Sequence, residues 1–271
     1  SLSSGNARMT SYVAAWYVSS VAQWEALRAR GFNAAIISST CPNLDAILDA
    51  LIPGELGVIG AGDCGVNPDW TATAALLTRL HDHPFLKGVL SFDEVNLTGI
   101  TLATQREWYV QIKAINPAWF VLVSHYAYGP GVPNSQFVDP VPGTAYDVPL
   151  VDVYPLHYGD GGDFAAGQAF VSALIAVDAC FNPKTPVVPI MQAAWSSVET
   201  TGALRAITND QLMQQYAAWR DIVGLDMSKA ICFYGAGETT PEDVRCGTNT
   251  ELFDGVTAVV ARHHQLYGGT T

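Results

Sequence analysis

The feature that most constrains the fold of this chain is a regular alternation of short apolar runs with amphipathic helical segments. Eight runs have strand character: Tyr12–Tyr17, Ala34–Ile37, Leu56–Gly60, Gly88–Phe92, Trp119–Ser124, Leu150–Val153, Val187–Met191 and Ala230–Phe233. Parallel strands need long crossover connections, which are usually helices, so this rhythm is typical of a parallel α/β sheet. Eight units within 271 residues predict a single (β/α)8 barrel that spans residues 1–271.

The helical segments fill the spaces between these runs, with one exception. Helices are predicted at Val21–Arg30, Leu44–Leu51, Asp69–Asp82, Leu102–Ile115, Phe164–Val177, Asp210–Val223 and Leu252–Tyr267. Between strands five and six, the span His125–Asp147 is punctuated by Gly and Pro and has no helical period. We therefore expect the fifth βα unit to be degenerate. Long loops without secondary structure are often functional, so this one is predicted to form part of the rim of a site.

Charge and hydropathy exclude several classes of partner. The net charge is −12, and the 13 Lys and Arg residues are scattered rather than clustered, which makes nucleic acid a poor partner. No apolar run approaches the roughly 18 residues of a transmembrane helix, so membrane insertion is not expected. Ser1–Thr10 is polar and carries no signal peptide core. The composition, poor in Lys and rich in Ser, Thr, Gly and Ala, favours a secreted, extracellular or virion-associated protein.

Neither an organic cofactor nor a metal is expected from the motifs. No glycine-rich phosphate loop follows any predicted strand, so a nucleotide has no anchor. The five cysteines include no CxxC pair. Cys41 and Cys64 follow two consecutive predicted strands, so their loops would be neighbours in a barrel. A disulfide and two free thiols both remain open.

Polar and aromatic side chains collect where the predicted strands end. In a (β/α)8 barrel these carboxyl ends meet on one face, where functional residues lie. The acids are Asp63, Asp93, Glu94, Asp152 and Glu238. The other candidates, which we expect to bind a substrate, are Trp16, Tyr17, His125, Tyr126, Tyr154, His157, Gln192, Trp195 and Tyr234. Aromatic rings and acids together suit a carbohydrate, because flat rings cover the C–H face of a sugar and carboxylates accept hydrogen bonds from its hydroxyls.

Two segments resemble a known superfamily. Gly88–Asn96 resembles the strand-four segment of clan-A-like glycoside hydrolase barrels, where an acidic or amide residue precedes a catalytic Glu. Val151–Pro155 resembles their strand-six segment, and His83–Gly88 resembles the lead-in to strand four. The resemblance implies that Glu94 is the acid/base, with Asp93 beside it.

The chain departs from this superfamily at strand seven. Clan-A enzymes place a nucleophilic Glu there, whereas this chain has Gln192, which cannot act as a nucleophile. A glycosidase needs two carboxyl groups, about 5–5.5 Å apart for retention or roughly 6.5–9.5 Å for inversion. The partner of Glu94 is therefore Asp152, Glu238, Asp63 or Asp93, with Asp152 preferred and Glu238 next.

Two hypotheses for the function follow from these residues. The first is a glycoside hydrolase that cleaves an extracellular or cell-surface polysaccharide by carboxylate acid/base catalysis. The second is a catalytically inactive carbohydrate-binding barrel, such as an adhesin or tail component. Gln192 favours the binding protein, and the acids Asp93, Glu94 and Asp152 favour the enzyme.

Overall fold

Eight parallel strands form a closed barrel in the computed structural model of the chain. They are β1 (Tyr12–Trp16), β2 (Ala34–Ser38), β3 (Leu56–Gly60), β4 (Leu86–Phe92), β5 (Phe120–Tyr126), β6 (Val148–Asp152), β7 (Val188–Gln192) and β9 (Ala230–Tyr234). Each strand pairs with the next barrel strand along the chain, and β9 closes the barrel on β1. The predicted (β/α)8 fold class is therefore confirmed. The structure describes residues 11–62, 68–127, 138–139, 141, 143–154, 168–181, 185–196, 207–225, 229–234, 243–245 and 250–268.

Helices alternate with the barrel strands. They are α1 (Val21–Arg28), α2 (Leu44–Asp49), α3 (Trp70–Arg79), α4 (Val95–Thr98), α5 (Leu102–Ile115), α6 (Gln168–Phe181), α7 (Asn209–Ala218) and α8 (Thr250–Tyr267). A π-helical segment, Trp219–Val223, continues α7. Side chains cap several helix starts; the predicted N-cap Asp69, for example, accepts a hydrogen bond from the Thr71 backbone N–H at 2.9 Å.

Three elements were not predicted. The four-residue helix α4 follows β4 directly, and the short strands β8 (Ala194–Ser196) and β10 (Asp243–Arg245) pair with each other, antiparallel, outside the barrel. Such short elements span too few residues to show a hydrophobic period. The helix α6 also ends at Phe181 rather than at Val177, because the apolar pattern continues through a further turn.

The described residues between β5 and β6 contain no helix, in agreement with the predicted degenerate unit. Asp139 organises this part of the connection. Its carboxylate accepts hydrogen bonds from the backbone of Val141 and Ala145 and pairs with Arg106 of α5 at 3.0 Å. The buried Asp139 carboxylate thus organises a turn in the described part of this connection.

The strand alternation sorts apolar side chains into two cores. One core lies between the sheet and the surrounding helices and includes Val121, Val123 and Trp219. The other fills the inside of the barrel and includes Ile36, Leu122 and Ile190. Because successive side chains of a strand point to opposite faces, each strand also has an inward-facing position near its carboxyl end.

Candidate functional site

The inward-facing positions at the carboxyl ends of the strands carry polar and aromatic residues. On β6 the inner core residue Leu150 is followed, two positions later, by Asp152; on β9 Cys232 is followed by Tyr234. The sheet register aligns Asp152 with Tyr126, and it aligns Tyr234 with both Gln192 and Trp16. The alternation of the strands therefore gathers these residues at the carboxyl-end face.

Three carboxyl groups meet at this face. Asp152 is only 2% exposed, and Asp93 is buried beside it. A side-chain hydrogen bond joins Asp152 to Glu94. Burial raises the pKa of Asp152 well above its ordinary value, and the Glu94 and Asp93 carboxyls raise it further because like charges cannot all ionise at close range. The raised pKa favours the protonated form of Asp152, which is the form that can donate a hydrogen bond to Glu94.

This cluster brings together three of the five acids that the sequence singled out, while Asp63 and Glu238 lie outside the described residues. Glu94 and Asp152 are in direct contact, and Asp93 lies close enough to affect the Asp152 charge. Oδ1 of Asp152 has no hydrogen-bond partner among the described residues. No cation among the described residues forms an ion pair with Asp152. Three acidic side chains therefore meet around Asp152.

Two tyrosines border the carboxyl cluster. The ring centroids of Tyr154 and Tyr234 lie 5.8 Å apart with a tilt of 36°. Burial raises the pKa of Tyr154 well above its ordinary value, and the charges of Asp152, Tyr234, Glu94 and Asp93 act in the same direction. Tyr154 therefore remains a neutral hydroxyl, able to donate a hydrogen bond next to the acids.

The remaining aromatic candidates lie at the same end of the barrel. Trp16 belongs to the inner core and packs against Tyr17 with ring centroids 5.4 Å apart. The Tyr17 hydroxyl donates to the Gly62 carbonyl at 2.8 Å, which fixes that ring over β3. Tyr126 ends β5, next to Asp152 in the sheet. These rings could serve as walls of a sugar site, and Trp16 also plugs the barrel.

Gln192 and Trp195 lie in the segment that runs from the end of β7 into β8. Gln192 is fully buried at the end of the strand, opposite Tyr234. Trp195 belongs to β8, where it pairs with Val244 of β10. The structure thus has a neutral amide at the end of strand seven, and no carboxylate takes its place on β7.

His125 does not lie on the open rim where it was expected. Its side chain is fully buried on the outer face of β5, and the rings of Tyr146 and Phe181 contact its edge at centroid distances of 5.6 and 5.4 Å. Neither ring nitrogen has a hydrogen-bond partner among the described residues. Burial lowers the pKa of His125 to about 3, so the ring is neutral. The strand alternation sends residue 125 outward, between the inward-facing residues 124 and 126.

Three candidates lie outside the described residues: Asp63, His157 and Glu238. Cys64 lies outside them as well, while Cys41 is a free thiol. Among the residues that the structure describes, no cluster of three or more His, Cys, Asp or Glu side chains has the geometry of a metal site.

The sequence reading missed Ser124. This fully buried serine faces the barrel interior, and its hydroxyl accepts a hydrogen bond from the Glu94 backbone N–H at 3.3 Å. The alternation Leu122, Ser124, Tyr126 was the available signal, since a small polar residue stands where an inner apolar one is usual. Ser124 supports the turn that carries Glu94.

Comparisons with known proteins bear on the fold. No family model matches the chain, and no curated protein matches it. Solved structures do match. One is a Bacteroides thetaiotaomicron VPI-5482 protein to which α-L-fucosidase activity is ascribed, with a TM-score of 0.61 and 11% identity over 98% of this chain and 97% of that one.

Two further structural neighbours are larger enzymes. The cold-adapted β-galactosidase of Rahnella sp. R3 has a TM-score of 0.63 at 12% identity, covering 96% of this chain and 57% of its own. The exo-β-1,4-mannosidase Op5Man5 from Opitutaceae bacterium strain TAV5 has a TM-score of 0.55 at 14% identity, covering 95% and 60%. The chain thus spans about three fifths of these two proteins. At such identities the likeness establishes the fold alone, a (β/α)8 TIM barrel that these glycoside hydrolases share.

A search for membrane-spanning helices was negative for the described part of the chain: each helix there is too short or too polar to cross a bilayer.

Proposed function

We propose that this protein is a glycoside hydrolase that cleaves an extracellular or cell-surface polysaccharide by carboxylate acid/base catalysis. The observation that carries the proposal is the contact between Glu94 and Asp152 at the carboxyl-end face of the barrel. Glycosidic bonds need a proton on the departing oxygen, and burial raises the pKa of Asp152, which favours a bound proton beside Glu94. The glycosidase fold supports the same reaction class.

In this mechanism Glu94 donates the proton and Asp152 sets its availability. Glu94 is the more exposed of the two groups, whereas Asp152 lies behind it and is 2% exposed. A sugar oxygen that approaches from solvent therefore meets Glu94 first. Asp152 shares its proton with Glu94 through the hydrogen bond and can return it after transfer.

The second catalytic carboxylate is a separate group. Two carboxyls in hydrogen-bond contact are closer than the roughly 5 Å that a retaining enzyme needs between acid and nucleophile. Asp152 is therefore better suited to proton storage than to attack on the sugar, which was the role the sequence favoured for it. Asp93 and Glu238 remain the candidates for nucleophile or base, and Glu238 lies on the segment after β9.

A binding protein without catalysis is the second candidate. The buried amide of Gln192 at the end of β7 supports it, because the resemblance places the nucleophile at that strand end. Such a protein would keep the aromatic walls, Trp16, Tyr154 and Tyr234, and bind saccharide without turning it over.

An aryl-glycoside panel separates the two candidates. We would assay the purified protein against 4-nitrophenyl α-L-fucoside, β-D-galactoside and β-D-mannoside, the sugars named for the structural neighbours described above. Extracellular polysaccharides would be tested by the release of reducing ends. The proposal predicts turnover of at least one substrate, and it predicts that Glu94→Gln lowers polysaccharide cleavage by about three orders of magnitude while it affects the activated nitrophenyl glycosides much less. Saccharide binding with no turnover, or polysaccharide cleavage that Glu94→Gln leaves intact, would contradict it.

A further inference from the structure

The turn that carries Glu94 has an unfavourable backbone conformation. Glu94 has φ 44° and ψ 52°, in the left-handed region, and only one other described non-glycine residue, Lys229, has a positive φ. Left-handed backbone is unfavourable for a residue with a Cβ, because the Cβ comes too close to the following carbonyl oxygen. Such a conformation persists only where surrounding contacts determine it, and these contacts often lie at functional sites.

Asn96, two residues after Glu94, makes a two-point contact with the neighbouring strand. Its Nδ2 donates to the Tyr126 carbonyl at 2.6 Å, and its Oδ1 accepts from the Tyr126 backbone N–H at 2.9 Å. The side chain thus reproduces the exchange of hydrogen bonds that a strand backbone would make. Only an amide can supply a donor and an acceptor side by side in this way.

The sheet shows why a side chain is needed at this point. The pairing of β4 with β5 ends at Phe92 and Val123, after an irregularity near Ser91. The next backbone groups of β5 that face β4 belong to Tyr126, since Ala127 bonds to Asp152 of β6 on the other side. The Asn96 side chain therefore makes the hydrogen bonds to β5 that the backbone of β4 no longer makes.

The same position of β5 also lies beside Asp152, the acid that contacts Glu94. Tyr126 is aligned with Asp152 in the β5–β6 ladder, so one position of β5 is tied to Asn96 on one side and to Asp152 on the other. A shift of the Asn96 contact moves the Glu94 turn relative to Asp152. The geometry of the carboxyl pair is therefore coupled to this amide.

We propose that Asn96 is a positioning residue that holds the strained Glu94 turn against β5 and thereby sets the contact between the Glu94 and Asp152 carboxyls. This inference rests on the proposed function only in giving that contact a role in proton transfer. It also reassigns the triplet Asn96-Leu97-Thr98, which has the pattern of an N-glycosylation site. Asn96 Nδ2 and Thr98 Oγ1 both donate to backbone carbonyls, at 2.6 and 3.2 Å, so the triplet closes the turn.

The chain contains a matched control at the opposite end of the barrel. Asn33 lies just before β2, is half-buried like Asn96, and bridges β1 with the same two kinds of bond. Its Nδ2 donates to the Ser11 carbonyl, and its Oδ1 accepts from the Val13 N–H, both at 2.8 Å. Loss of either amide removes one donor and one acceptor from a strand edge. Only Asn96 is connected to the carboxyl pair.

The test is a carboxyl titration by ¹³C NMR of wild type, Asn96→Ala and Asn33→Ala, with the Asp152 signal assigned from Asp152→Asn. The groups that face Asp152 are Glu94, Asp93 and Tyr154, and none of them is altered in the test variants. We expect Asn96→Ala to move the Asp152 midpoint down toward the ordinary range, because Glu94 separates from it. Asn33→Ala should lower Tm to a similar extent and leave the midpoint unchanged.

An unchanged Asp152 midpoint in Asn96→Ala would overturn the inference, as would an equal shift in Asn33→Ala. If Asn96→Ala does not fold, Asn96→Ser, which keeps a hydroxyl near β5, is titrated instead under the same criteria. On a substrate of the aryl-glycoside panel, Asn96→Ala should lower kcat by about 10- to 100-fold with KM nearly unchanged. If the wild-type protein has no glycosidase activity but Asn96→Ala still shifts the Asp152 midpoint, the positioning role is supported and the proposed function is contradicted. The two failures are therefore distinguishable.

Discussion

The buried acids at the two ends of the barrel have opposite electrostatic surroundings. At the amino end, before β3, Glu55 is 9% exposed and its carboxylate is neutralised: Arg28 contacts it at 2.5 and 2.9 Å, and the Trp24 indole and the Ile52 backbone donate to it. At the carboxyl end, Asp152 is 2% exposed and lies against two further acids. One end pairs opposite charges, and the other crowds like charges.

This difference separates a stabilising acid from a reactive one. The hydrogen bond with Glu55 raises the pKa of the Arg28 guanidinium, and this ion pair holds α1 to the start of β3. The crowding around Asp152 makes its charged form unfavourable and keeps a proton available. A shallow cleft lined by Tyr12, Lys87 and Phe120 also lies at the amino end. Its one acid, Glu55, already forms an ion pair with Arg28, so we do not assign catalysis to this cleft.

The largest expected effect is on activity, and it tests whether the buried acids at the two ends of the barrel differ in function. Asp152→Asn removes the shared proton while it preserves shape, and it should lower kcat/KM by about 10²–10⁴-fold, the usual contribution of general acid–base catalysis. Glu55→Gln, an equally conservative loss of one carboxylate, should leave kcat within about twofold. Steady-state kinetics of both variants at a temperature well below their Tm checks this prediction. Equal losses in the two variants would remove the functional distinction between the ends.

A second prediction extends the comparison to the outer face of the sheet. Burial lowers the pKa of His125 to about 3, against an ordinary value near 6.5. The unfolded chain therefore binds the proton first, and wild-type stability is lost as pH falls from 6.5 toward 3. His125→Phe should remove this loss, so its free energy of unfolding relative to wild type rises by about 1.4 kcal/mol per pH unit in that window. Urea unfolding between pH 7 and pH 4 measures the slope; parallel curves would show that His125 is not buried and neutral.

A third prediction concerns stability at the amino end. Glu55→Gln leaves the Arg28 guanidinium without its counter-charge. Arg28 retains 26% side-chain exposure, which limits the penalty, so we expect a loss of about 2 kcal/mol in the free energy of unfolding. Denaturant unfolding at pH 7 provides the measurement. The surface pair Arg79 and Asp45, at 2.9 Å but more than half exposed, offers a control: Asp45→Asn should change stability by less than about 1 kcal/mol.

The smallest effect is a gain in stability at the carboxyl end. The folded-state pKa of Asp152 is raised, so the folded protein binds the proton more tightly than the unfolded chain does. Wild-type stability therefore falls as pH rises from the ordinary aspartate range through the raised value. Asp152→Asn removes this penalty and should be more stable than wild type at pH 7, by about 1.4 kcal/mol for each unit of displacement. Thermal unfolding at pH 4 and pH 7 tests the sign. A variant less stable than wild type at both pH values would show that Asp152 stabilises the fold as Glu55 does.

The sequence predicted the barrel because each of its strands is a short apolar run followed by a helix or a turn signal. It also placed Glu94 and Asp152 on the same rim, since both residues end barrel strands that lie two apart, but it favoured Asp152 as a second catalytic carboxylate rather than as a direct contact of Glu94. The sequence did not predict the orientation of His125. That orientation depends on which residues of β5 face inward, and the run Trp119–Ser124 is apolar on both faces.

The role of Asn96 was also hidden. Its partner, Tyr126, is 30 residues away in the chain, and the need for the contact arises from the point where β4 leaves the sheet. The residue pattern of one segment does not show how that segment is aligned with a distant strand. Ser124 was hidden for the same reason, because its importance comes from the Glu94 N–H that it accepts.

The central claim, that Glu94 delivers the proton of this carboxyl pair to a glycosidic oxygen, is tested most directly by leaving-group dependence. Wild type and Glu94→Gln would be compared on two glycosides of the same sugar, one with a 2,4-dinitrophenolate leaving group and one with an unactivated alcohol. The account predicts that Glu94→Gln loses about three orders of magnitude in kcat/KM on the alcohol and less than about tenfold on the dinitrophenolate, which departs without protonation. Equal losses on both substrates, or no loss on the alcohol, would contradict it.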